Sequence, residues 1–63
     1  MLTYNMVWET IPESQKQWIY LYIGKYIDGE YDGGLRCLIE RYLTPLQLRV
    51  FRRLCHEVGK LYI

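Results

Sequence analysis

Cys37, Cys55 and His56 are the two thiols and the one imidazole of this 63-residue chain, the side chains on which a zinc site or a thiol nucleophile with its base would draw. A zinc site needs three or four ligands, usually with cysteines paired at short spacing, and no such pair is present. No metal site is expected. Cys55 falls beside Phe51, Leu54 and Val58, and Cys37 beside Leu38, so both read as small core residues. A disulfide between them is not expected either. If two helices fold back at Thr44, the cysteines differ in axial height by ~6 Å at about 1.5 Å per residue. Adding a helix separation of about 8–10 Å exceeds the reach of a bridge. His56 follows Cys55 directly and is turned about 100° from it on a helix, which separates a base from its nucleophile. It reads as an exposed residue near the negative end of a helix dipole.

The carboxylates give no catalytic pair. Asp28, Glu30 and Asp32 alternate through a glycine-rich turn in the manner of a calcium loop. Where that loop needs its closing glutamate, Cys37 or Leu38 falls. Gly29, Gly33 and Gly34 lack the preceding strand and the following Lys-Ser/Thr of a phosphate loop. No catalytic residue and no cofactor are assigned, and an enzyme is not expected.

Binding chemistry remains. All five arginines lie in the second half, and Gln47, Arg49, Arg52, Arg53, His56 and Lys60 fall on the polar side of one amphipathic segment. These six are the candidate contact residues. They suit an acidic protein surface, or phosphates and base edges in a helix-turn-helix-like DNA-binding arrangement. The bland alternative is a solvated face, with Glu57 four residues after Arg53 to pair with it.

Elements must hold that face. Thr44 can cap a helix, Pro45 suits its first position, Gln47 completes a capping box, and Leu43 with Leu48 forms a hydrophobic staple. Leu46, Val50, Phe51, Leu54, Val58 and Leu61 then recur at steps of three and four. The pattern predicts a helix over 45–58, with Gly59 as a left-handed stop. Leu35, Leu38, Ile39 and Tyr42 predict a second helix over 34–43, begun by Asp32 or Gly33. A third, over 12–28, follows from Gln15, Ile19, Tyr22, Ile23 and Tyr26 on one face, with Thr10 and Glu13 at capping-box spacing and Gly29 as its end. Residues 2–8 read as an extended arm. The fold class is therefore all-α, a single three-helix domain over 1–63. The competing α+β reading makes strands of 2–8 and 18–23, where aromatic and β-branched residues concentrate and Gly24 costs a helix about 1 kcal/mol.

Composition sets the surroundings. The chain is 51% hydrophobic with seven tyrosines and two tryptophans, too apolar to stay disordered. At this size only ~60% of the unfolded surface is buried, and such a core supplies only ~3–5 kcal/mol. A homo-oligomer, most simply a dimer, or a bound partner is the remedy. The longest apolar run, Trp18 to Ile23, is far short of the roughly 20 residues of a membrane span. Two cysteines and no leader-like pattern point to a reducing, cytoplasmic compartment. Residues 1–32 carry two lysines against five carboxylates, and residues 33–63 six cations against two carboxylates. A net charge of only +1 favours an internally satisfied or solubilising asymmetry over a dedicated nucleic-acid binder. The expectation is a small protein-binding adaptor or inhibitor, of the kind viruses and mobile elements encode, with DNA binding as the alternative.

Overall fold

The computed structural model describes residues 2–62. Four helices follow one another: α1 (Tyr4–Glu9), α2 (Glu13–Ile27), α3 (Gly33–Tyr42) and α4 (Pro45–Tyr62). No strand occurs among the described residues, so the all-α reading holds and the α+β alternative falls. α2 packs on both α3 and α4, and α1 packs on α4.

Local chemistry explains most of the boundaries. Thr44 and Gln47 form the reciprocal capping box, Gln47 N–H donating to Thr44 Oγ1 at 3.3 Å and Thr44 N–H to Gln47 Oε1 at 3.0 Å. Asp32 caps α3, its Oδ1 accepting from Leu35 N–H at 3.0 Å, while Lys25 Nζ holds Oδ2 at 2.9 Å and ties this cap to α2. The end of α2 is a Schellman turn. Gly29 takes φ 83°, Glu30 N–H donates to Lys25 O at 2.9 Å, and Gly29 N–H to Tyr26 O at 3.1 Å.

Three expectations about the helices are corrected. Residues 4–9 are helical where the sequence predicted an extended arm, which makes four helices of three. Thr3 caps this turn by accepting from Met6 N–H at 3.2 Å, Val7 is buried, and Tyr4 Oη donates to Val50 O at 3.3 Å. Tertiary contact rather than helix propensity therefore sustains it. Thr10 does not cap α2. Its hydroxyl donates back to Val7 O at 2.6 Å and closes α1, leaving Pro12 at the cap of α2 with no side-chain bond. Gly59 does not end α4, which runs on to Tyr62, and Gly59 is buried inside it.

The core joins Ile11, Ile19, Tyr22, Leu35, Ile39, Leu43, Phe51 and Cys55, with Trp8, Ile23, Leu48 and Leu54 packed on it. Tyr22 meets Phe51 edge-on at 5.7 Å between centroids, the geometry ring quadrupoles favour. Cys37, expected in the core, is exposed, while Cys55 is buried, and both are free thiols.

Candidate interaction surface

The rows of α4 sort its side chains. Gln47, Phe51, Cys55 and Gly59, spaced by four, are all buried. Arg49 and Arg53 with Glu57 form one exposed row, and Arg52, His56 and Lys60 the other. Five of the six predicted contact residues thus share a solvent face, and Gln47 does not. Its amide lies in the core row, 8% exposed, where Nε2 donates to Thr10 O at 3.2 Å and Thr10 Oγ1 at 3.1 Å. Two members of the expected apolar stripe depart the other way: Leu46 and Leu61 are 47% and 78% exposed.

The arginines divide by what they touch. Glu40 Oε1 takes Arg36 Nε at 3.3 Å and Arg52 Nε at 3.7 Å, so Arg52 is committed to α3. Arg36 also donates to Tyr22 Oη at 3.5 Å and sits 6.0 Å over the Phe51 ring. Arg53 finds no carboxylate among the described residues. Its guanidinium carbon lies 5.8 Å from the Tyr4 ring centroid, within cation–π range. The Arg53–Glu57 pair of the solvated-face alternative does not form among the described residues.

Ion pairs close within each half of the chain: Lys16 with Glu9 at 3.9 Å and Lys25 with Asp32 at 2.9 Å in the first, the Glu40 pairs in the second. None crosses between halves among the described residues. The charge asymmetry is therefore carried to the surface, with Arg41, Arg49, Arg53 and Lys60 outside every described ion pair.

Burial pushes the Cys55 thiol up, which keeps it protonated and inert. Burial likewise raises the Tyr4 and Tyr22 hydroxyls, against the lowering pull of Arg53 and Arg36 respectively. No three of His, Cys, Asp and Glu converge as metal ligands would among the described residues.

Two apolar surfaces accompany the basic face. A groove of about 230 Å³ runs between α1, α2 and α4, lined by Tyr4, Asn5, Trp8, Tyr20 and Leu54. Trp8 and Tyr20 stand 5.9 Å apart, and Lys16 Nζ lies 5.4 Å from the Trp8 ring. The second surface is the outer side of α2, where Trp18 and Leu21 flank Gln17. Sequence reading saw the apolar excess but not its location. The signal was available in α2, whose apolar residues wrap the whole helix rather than one stripe. A shallower hollow at the far end of α4 is lined by Tyr26, His56, Gly59 and Lys60.

No family model, curated protein or solved structure matches the chain. The functional reading rests on these surfaces alone. No helix of the described residues is long and apolar enough to cross a membrane.

Proposed function

We propose that this chain is a non-enzymatic interaction module that self-associates and binds a protein partner. The outer face of α2 carries the reading. There Trp18 and Leu21 are 41% and 52% exposed on a helix whose inner side already fills the core. A helix apolar on both sides is normally covered on both. Tryptophan and tyrosine are also the residues that most often anchor interfaces. The free thiols Cys37 and Cys55 fit a reducing compartment.

Light scattering tests self-association. The wild-type chain should form a dimer at micromolar concentration, and Trp18→Lys with Leu21→Lys should return it to a folded monomer. A wild-type chain that stays monomeric sinks the self-association. DNA binding is the second reading, favoured by the exposed strip of Arg49, Arg53, His56 and Lys60. It requires salt-dependent retention on duplex DNA that is lost when Arg49, Arg52 and Arg53 become Ala. No retention at low salt removes it.

A further inference from the structure

We infer that the groove between α1, α2 and α4 is a docking site for an acidic peptide segment with a large apolar anchor residue. The inference rests on the protein-binding reading above and names its partner class. The groove supplies Trp8, Tyr20 and Leu54 as an apolar floor and walls, open to solvent and about 230 Å³ in volume, enough for one large side chain. One wall is fixed: the Tyr4 hydroxyl donates to the Val50 carbonyl of α4, so the ring that lines the groove is held against that helix.

Charge settles what accompanies the anchor. The Arg53 guanidinium lies 5.8 Å from the centroid of the same Tyr4 ring, and Arg49 stands one turn earlier on the same exposed row. Neither is in an ion pair with a carboxylate of the described chain, whereas Arg36 and Arg52 are both taken by Glu40. A guanidinium outside the described ion pairs offers the planar N–H fork that receives a carboxylate. Glu57 follows Arg53 by one turn and repels a carboxylate there, so the acidic side chains must lie toward Arg49. The occupant is an extended or helical segment whose apolar residue enters beside Trp8 and Tyr20 and whose Asp or Glu meets Arg53 and Arg49. Potentials of opposite sign then fix its direction.

The test selects ligands from a random-peptide display library on the immobilised full chain, then measures the synthesised winners by fluorescence polarisation at low and high salt. Selected peptides should combine an aromatic or leucine anchor with two or more carboxylates and lose affinity in high salt. Tyr20→Lys and Arg53→Glu should each weaken them about tenfold, the loss of an interface hot spot. Trp18→Lys, outside the groove, should change nothing. The exposed positions of all three variants preserve folding, which circular dichroism checks. Peptides without carboxylates, or ones indifferent to Tyr20→Lys and Arg53→Glu, overturn the site. If those peptides instead depend on Trp18, protein binding stands and only this groove fails. If no peptide is enriched and duplex DNA binds through Arg49 and Arg53 independently of Tyr20, both readings fail together.

Discussion

Gln47 on α4 holds Thr10 at the end of α1, its Nε2 standing 3.2 Å from the Thr10 carbonyl and 3.1 Å from the hydroxyl. The same amide accepts from Thr44 N–H, so one side chain caps α4 and pins the chain thirty-seven residues earlier in sequence. Gln47→Ala removes both functions. The expected loss is about 2 kcal/mol, combining a cap worth about 1 with an intramolecular hydrogen bond worth about 1. Thr44→Ala, which removes the cap alone, should lose about 1. Urea unfolding of the two variants checks the order. Equal midpoints would mean that the bond to Thr10 contributes nothing.

Phe51 and Tyr22 share the centre of the core, both fully buried, and differ in what their removal breaks. Phe51→Ala costs about 3–5 kcal/mol through the cavity it leaves, as much as a core of this size supplies. It should therefore be unfolded in far-ultraviolet circular dichroism without a partner. Tyr22→Phe removes a hydroxyl that receives Arg36 at 3.5 Å, the outer limit of a hydrogen bond. Arg36 is about a third exposed and can turn to water. That variant should stay folded and lose about 0.5 kcal/mol.

The Lys25–Asp32 pair makes stability fall at both ends of the pH scale. The Leu35 N–H bond first, and Lys25 second, hold the Asp32 carboxyl below its ordinary value of 3.8. A depressed acid contributes fully above its unfolded pKa and loses that contribution as pH falls through the folded one. Asp32 in turn raises Lys25 above 10.5, so this share is complete below that value and disappears as pH climbs past the folded pKa. Thermal melts across pH should show both shoulders. Asp32→Asn keeps an N-cap oxygen but should flatten the acid shoulder, and an unchanged acid limb would assign it to other carboxylates.

What the sequence made legible were the elements with local grammar. The Thr44–Gln47 box, the Asp32 cap and the Gly29 stop are each written within a few residues of where they act. α1 was not, because its six residues have little propensity of their own and depend on Val50 from the far end of the chain. The same holds for the candidate surface. Arg49, Arg53, His56 and Lys60 were placed by period alone, but four-residue spacing to Phe51 already put Gln47 in the core row, where its polarity disguised it. The Glu40 bridge that occupies Arg52, and the Tyr4 ring under Arg53, are contacts between helices that no window of the sequence contains.

Gly24 and Gly29, five residues apart, should respond to alanine with opposite signs. Gly24 lies inside α2 with ordinary helical backbone, and a Cβ built on it meets nothing within 4 Å. Alanine there loses less entropy on folding and should stabilise the monomer by about 1 kcal/mol. Gly29 also has room for a Cβ, but its φ of 83° is a conformation that L side chains rarely adopt. Alanine must either strain that angle or open the Schellman turn, at about 1 kcal/mol or more. Since space is equal at the two sites, backbone conformation alone separates the outcomes. Gly24 further lies on the outer face of α2, so its alanine variant should be measured at two concentrations. A gain at high dilution that shrinks as the chain is concentrated would place a second copy against that position, whereas a gain independent of concentration would leave Gly24 outside any self-contact.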